Sequence, residues 1–135
     1  MKTPFLTGLV LAALAFQPAA RAASLLDGYA DAARAADAGF AGFSAGRGRA
    51  LFAATPGTGK PDTPSCTTCH TADPRAAGRT RAGKAIAPMA LSVSPDRYAD
   101  PAKVEKWFRR NCNSVLGRAC TAREKGDFIR FMATQ

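Results

Sequence analysis

Ser65-Cys66-Thr67-Thr68-Cys69-His70 contains the spacing Cys-x-x-Cys-His, and His70 is the only histidine of the 135 residues. Two thiols at this spacing, followed at once by an imidazole, form the signature for covalent attachment of a c-type haem. Both thiols reach the macrocycle from one turn of backbone, and the histidine meets the iron from the same side. A fold that carries this pentapeptide must shape itself around a flat apolar cofactor. Three other readings compete: a thiol redox pair, a zinc site that uses Cys66, Cys69, His70 and a later cysteine, and chance. A thiol redox pair belongs after a strand in an α/β pattern, and no convincing strand is visible.

With one histidine, the far side of the iron must take Met, Asn, Lys, water or nothing. That choice separates a plain electron carrier from a protein that binds small ligands.

The N-terminus places Lys2 before an apolar run from Phe5 to Phe16 and then Ala20-Arg21-Ala22, an A-x-A type processing site. A cleaved secretory leader over residues 1–22 is expected, with export to the periplasm; an uncleaved anchor is the alternative. The run is short for a bilayer span, so no stable membrane insertion is expected. One domain over residues 23–135 then remains, small enough that a buried haem would supply much of its apolar contact.

Loss of Lys2 and Arg21 leaves 17 basic residues against 10 acidic ones, a formal charge of +7. The cations are scattered and aromatics are few, which disfavours nucleic acid. An acidic redox protein is the expected partner, with association weakening as salt rises. Of the four cysteines, Cys112 and Cys120 remain after the haem motif. They lie eight positions apart around Gly117, and a disulfide between them is expected, the alternative being two free buried thiols.

Ala-rich sequence with Leu25, Leu26 and Tyr29 predicts a helix from Ser24 to Ala38, closed by Gly39. A second helix is expected from Ala41 to Ala54, ahead of Thr55-Pro56-Gly57-Thr58-Gly59. Residues 71–100 are rich in Gly, Pro, Ser and Asp and predict a long ordered loop without sheet. Asp100-Pro101 reads as N-cap and N1 of a helix to about Asn111. Thr121 with Glu124 makes a capping box for a last helix whose apolar face is Phe128, Ile129, Phe131 and Met132. Gly126 inside it suggests either a close helix crossing or a tolerated exposed glycine.

At about 100° per residue, Val104, Trp107, Phe108 and Asn111 share one stripe, so Asn111 is expected to continue a buried face. There its amide could ligate iron, or it could cap the end of the helix. Met89 is the rival ligand. Its segment, Gly83 to Leu91, is expected to wrap the histidine side, with a carbonyl near Pro88 accepting from His70 Nδ1 and Met89 packing. Met132 is expected in the core. No distal His, Arg pair or carboxylate constellation suggests an enzyme.

The residues Lys60-Pro61-Asp62-Thr63-Pro64 before the haem motif, then Gly83-Lys84, Ile86-Ala87-Pro88, Val104-Glu105-Lys106-Trp107 and Arg110-Asn111-Cys112-Asn113-Ser114-Val115, form a more specific pattern. The chain resembles the SHP type of class I monohaem cytochrome c over nearly all of residues 23–135. The resemblance implies an all-α fold around one haem c, with Cys66, Cys69, His70, Trp107 and Asn111 at the cofactor, His70 and Asn111 as axial ligands, and a Cys112 to Cys120 disulfide. It implies asparagine release on reduction, binding of O₂, NO or CO at ferrous iron, and a dihaem cytochrome c as redox partner. The family pattern has Leu where this chain has Met89, a departure that fits packing and also keeps thioether ligation open.

Overall fold

The structure, a computed structural model, describes residues 18–135, with side chains from residue 23 onward. The predicted leader over 1–22 lies outside the described residues except for the backbone of 18–22. That backbone opens α1 (Pro18–Ala36), which starts earlier and ends sooner than the sequence pattern suggested. It ends sooner because the Asp37 carboxylate accepts from the Gly39 N–H at 2.8 Å, a local turn that competes with further helix. Leu25, Tyr29 and Ala33, four residues apart in turn, form its buried face.

The second helix, α2 (Ala45–Ala53), is also shorter than expected. Gly42 sits at φ 108°, which helical backbone does not allow, and Ser44 then caps the helix by accepting from Arg47 N–H at 3.2 Å. A short α3 (Thr67–His70) carries the haem motif. Within the region predicted as pure loop, β1 (Gly78–Arg79) and β2 (Ala85–Ile86) form an antiparallel pair, Gly78 opposite Ile86 and Arg79 opposite Ala85. Two residues per strand are too few to show an alternating pattern in sequence. A tight turn sets the pairing: Gly83 N–H donates to Thr80 O and Thr80 N–H to Lys84 O, both at 2.8 Å.

The helix opened by Asp100 and Pro101, α4 (Pro101–Leu116), runs five residues beyond the expected end at Asn111. Asp100 accepts from Lys103 N–H at 3.1 Å as predicted. The extension is stable because Cys112, Val115 and Leu116 are buried, and the terminator is Gly117 in the left-handed region at φ 69°. Finally α5 (Ala122–Met132) has the predicted capping box, Thr121 accepting from Glu124 N–H at 3.1 Å and Glu124 from Thr121 N–H at 2.8 Å.

The main core brings Leu25 and Tyr29 of α1, Phe52 of α2, Met89 and Tyr98 of the long loop, Val104 of α4 and the apolar face of α5 into one cluster. Ile129 and Met132 have no exposed surface, so Met132 is core as expected. The close helix crossing lies at Gly48, where α2 meets α5: a Cβ there would overlap the Asp127 carbonyl and Phe131. Gly126, the glycine expected to mark such a crossing, instead admits the Phe43 ring from the loop before α2. Beside the crossing, Asp127 is 3% exposed and accepts from Arg47 Nε at 2.6 Å, Arg47 Nη2 at 2.9 Å and Ser44 N–H at 2.6 Å. A buried carboxylate with three charge-compensating or amide donors is satisfied.

Candidate haem site

Cys66 caps α3, and His70 N–H donates back to Cys66 O at 3.1 Å, so the motif closes as one helical turn. Ser65 is buried and its hydroxyl accepts from Thr67 Oγ1 at 3.0 Å, pinning the entry to the turn. Cys66 and Cys69 are free thiols, three residues apart and therefore on one side of that turn. Burial pushes the Cys66 thiol up to about 11, with smaller effects from its backbone and Cys69, so it stays protonated at neutral pH.

Burial pushes His70 down to about 4, and the nearby Arg97 charge adds to the effect. The imidazole is therefore neutral, the form that ligates a metal. Its Nδ1 is buried and has no hydrogen-bond partner. The expected acceptor near Pro88 is thus not formed, although the segment does fold back as anticipated. Pro74 O, just after the motif, accepts from Met89 N–H at 2.8 Å and from Ala90 N–H at 2.9 Å, so the segment is held against the motif through its amides, and none of its carbonyls accepts from His70 Nδ1. Met89 is buried in the main core, and Tyr98 donates to its carbonyl at 3.0 Å, so its side chain occupies a packing position.

On α4 the buried face is Val104, Cys112, Val115 and Leu116, with Phe108 partly buried against both clusters. Trp107 and Asn111 lie together at one edge of the face that protein atoms bury, Trp107 45% exposed and Asn111 exposed, on the side where the cofactor expected at both would pack. They occupy one edge of the stripe, a helical turn apart, and Arg110 lies over the Trp107 ring at 5.5 Å. Because α4 continues to Leu116, Asn111 is not a helix cap. Among the described residues no hydrogen bond engages its amide.

Cys112 and Cys120 are joined, with Cα atoms 5.6 Å apart. Cys112 belongs to a satellite cluster with Val115 and Leu116, against which Cys66 also packs. The haem motif and the Asn111 segment therefore share one small apolar patch. The chain that leads into the motif ties them further: Lys60 N–H donates to Ser114 O at 2.7 Å, Thr63 Oγ1 to the same carbonyl at 3.2 Å, and Thr58 Oγ1 to Leu116 O at 2.8 Å. Those bonds satisfy carbonyls that the end of α4 leaves open. Sequence reasoning missed this clamp, and also missed Tyr98 and Arg97 beside the histidine segment; Thr58 and Thr63 flanking Gly59 carried no motif that could have signalled it.

The donor set fits a covalent haem c. It offers two free thiols on one turn, followed at once by an imidazole held in the neutral form. It does not fit zinc: the two remaining cysteines are bonded to each other, and among the described residues no three His, Cys, Asp or Glu gather as a metal site.

Comparison with known proteins agrees. A family described as a domain of unknown function (DUF1924) matches residues 38–132. The cytochrome c-type protein SHP of Cereibacter sphaeroides is 58% identical over 113 residues, which cover 84% of this chain and 83% of that protein. The structure of oxidised SHP, an oxygen-binding cytochrome c, superposes with a TM-score of 0.77 at 56% identity, covering 84% of this chain and 96% of that one. The solution structure of Methylophilus methylotrophus cytochrome c'', studied for the structural basis of haem-ligand detachment, matches with a TM-score of 0.72 at 32% identity, covering 84% and 93%. On fold, donor set and sequence alike, this chain belongs to the SHP-type class I monohaem cytochromes c and carries one haem c.

Proposed function

We propose that this protein is an exported, periplasmic cytochrome that exchanges one electron with a redox protein, such as an acidic or dihaem cytochrome c, and binds O₂ or NO when reduced. Cys66 and Cys69 would hold the cofactor through thioethers, and His70 would ligate its iron. When attached, the haem supplies a one-electron iron centre whose sixth position can accept a diatomic molecule.

Asn111 provides the gate. Its amide oxygen is a hard, weak donor that would suit ferric better than ferrous iron, so its hold would weaken on reduction. The observation that carries this reading is the placement of Asn111: mid-helix, beside the exposed Trp107 and one residue from the anchored Cys112, with an amide that no protein group uses. The disulfide and the Thr58 to Thr63 clamp restrain how far that segment swings. The rival ligand Met89 has its side chain in the main core. The oxygen binding of SHP and the ligand detachment studied in cytochrome c'' support the same reading. No described helix is long and apolar enough to cross a membrane.

Absorption spectra test it. The ferrous protein is expected to be high-spin and to shift at once with CO. Asn111→Val should lose the ferric six-coordinate spectrum while Met89→Leu keeps it; unchanged ferric ligation in Asn111→Val, or loss of it in Met89→Leu, would overturn the assignment.

A further inference from the structure

Backbone with positive φ falls on Gly42, Gly57, Gly83 and Gly117, as sterics favour. Among the described residues one other residue adopts it: Thr71, at φ 62° and ψ 171°. That corner of conformational space is all but reserved for glycine, and a β-branched side chain is strained there. Thr71 is the residue directly after His70.

The chain reverses sharply at this point, and β1 then runs back against the motif. Gly78 of β1 packs so closely that a Cβ there would overlap the Cys69 carbonyl and crowd His70 Cα. Thr71 is locked into the reversal from both sides: its N–H donates to Thr67 O at 3.1 Å, and its hydroxyl to Asp73 O at 2.9 Å. Asp73 O also accepts from Ala76 N–H at 3.0 Å, and the Asp73 carboxylate from Arg75 N–H at 2.9 Å. The turn is in turn fastened to the core. Pro74 O takes the Met89 and Ala90 amides, and Leu91 N–H donates to Met132 O at 3.1 Å, with Ala90 and Met132 fully buried. Strain of this kind persists only where the surroundings over-determine it.

We infer that residues 71–78 form a buttress for the proximal ligand, with Thr71 and Gly78 as positioning residues that hold the His70 backbone against the turn carrying Cys66 and Cys69. This role rests on His70 ligation as proposed above and goes beyond it in saying why the two axial positions would differ. His70 is fixed to the core through its own peptide neighbours, whereas Asn111 sits in a segment tethered at the disulfide. On reduction a weak ligand on the Asn111 side would leave alone. A diatomic ligand that labilises the bond opposite itself, as NO does, would not detach the histidine. Threonine supplies at position 71 what glycine would not, a side chain that pins the reversal.

Three variants of the haem-loaded protein test the buttress: Thr71→Gly, Gly78→Ala and Thr80→Gly. Thr80 is the matched control, since its hydroxyl also engages one backbone group, accepting from Lys84 N–H at 3.1 Å, but its φ is not positive. Thr80→Gly should lower the melting temperature by about 5 °C, whereas Thr71→Gly should leave it level because glycine relieves the strain. The spectra should divide the variants differently. In the ferrous nitrosyl protein, EPR splitting from the histidine nitrogen should persist in the parent and in Thr80→Gly, and should be largely lost in Thr71→Gly and Gly78→Ala. The paramagnetically shifted His70 ring protons of the ferric protein, followed by NMR, should move in the same two variants and report the bond without any added ligand. They decide the buttress even where the parent takes up no NO, a result that would sink the ligand-binding reading alone. Absence of His70 signals from the parent would sink the ligation reading and the buttress with it. Histidine signals unchanged in both Thr71→Gly and Gly78→Ala would overturn the buttress alone, as would equal melting losses in Thr71→Gly and Thr80→Gly, or a parent whose histidine NO detaches. Should Gly78→Ala fail to take up haem, Thr71→Gly decides by itself.

Discussion

Two regions of the molecule are built on different principles. Where α2 crosses α5, stability comes from depth: Phe52 lies 6.1 Å from Phe128 and 5.9 Å from Phe131, ring centre to ring centre, and Gly48 lets the backbones nearly touch. Where α4 ends, the apolar cluster has only Cys112, Val115 and Leu116 at its centre, and the segment is held by a disulfide and by amide-to-carbonyl bonds from residues 58–63. The first region is rigid because its atoms have nowhere else to go. The second is tethered, which suits the release of Asn111 proposed above.

That contrast breaks most sharply at Gly48. Gly48→Ala forces a Cβ into the Asp127 carbonyl, which the backbone can relieve only by separating the helices. It should cost about 3 kcal/mol, equivalent to a melting temperature lower by about 15 °C. Gly28→Ala, also in a helix but facing open space, should be neutral to slightly stabilising by helix propensity. Thermal denaturation of the two variants side by side checks this, and equal effects would mean that the crossing is not tight.

The tethered region should fail differently. Replacing Cys112 and Cys120 together with serine should cost about 2.6 kcal/mol if the loop's entropy in the unfolded chain is the main term. The expected signature is in the spectrum as well as in the melt: ferric axial ligation should weaken at temperatures where the helical far-ultraviolet signal is intact. Simultaneous loss of both signals would erase the distinction between the regions.

What could be read beforehand follows the same division. The haem motif, the Asp100-Pro101 start and the Thr121/Glu124 box are local, each set by residues within one helical turn, and each was legible. Gly117 was visible too, but as a turn inside the disulfide loop rather than the stop of α4; the polar run Asn111-Cys112-Asn113-Ser114 hid a helix whose stability comes from burying Cys112 and Val115 against the distant Leu51 and Cys66. Arg47 with Asp127, and Tyr29 with Glu105, are partners roughly eighty positions apart. No spacing rule reaches so far.

Asp127 probes the rigid region more gently than Gly48. In Asp127→Ala the Ser44 N–H loses its acceptor inside the protein, while Arg47, half exposed, can turn to water. The cost should be about 2 kcal/mol, and Asp127→Asn should recover part of it because an amide oxygen still accepts from Ser44. Chemical denaturation midpoints give the ranking, and an Asn variant no better than Ala would mean that the ionic pairing with Arg47 outweighs the Ser44 hydrogen bond.

The two regions are joined by Glu105, which reaches from α4 to Tyr29 on α1 and Lys125 on α5, with Lys125 Nζ at 2.7 Å from Oε2. Burial alone would raise its pKa, but hydrogen bonds from Lys125 and Tyr29 and the charges of Lys125 and Arg109 outweigh it and hold the carboxyl below the usual carboxylate range. A depressed folded value means that the unfolded chain binds the proton first as pH falls. The stabilising contribution is therefore complete above the ordinary glutamate range, shrinks once the unfolded carboxyl begins to protonate, and is gone below the folded value. The side chain is 46% exposed, so solvent and salt limit the effect to about 0.5 kcal/mol. Glu105→Gln should thus lower stability slightly at neutral pH and match the parent in acid, with high salt narrowing the gap. If the ferric ligation spectrum also responds in Glu105→Gln, the tether at α4 draws on the rigid core through this one carboxylate; if only the melt responds, the two regions are independent beyond their shared apolar contacts.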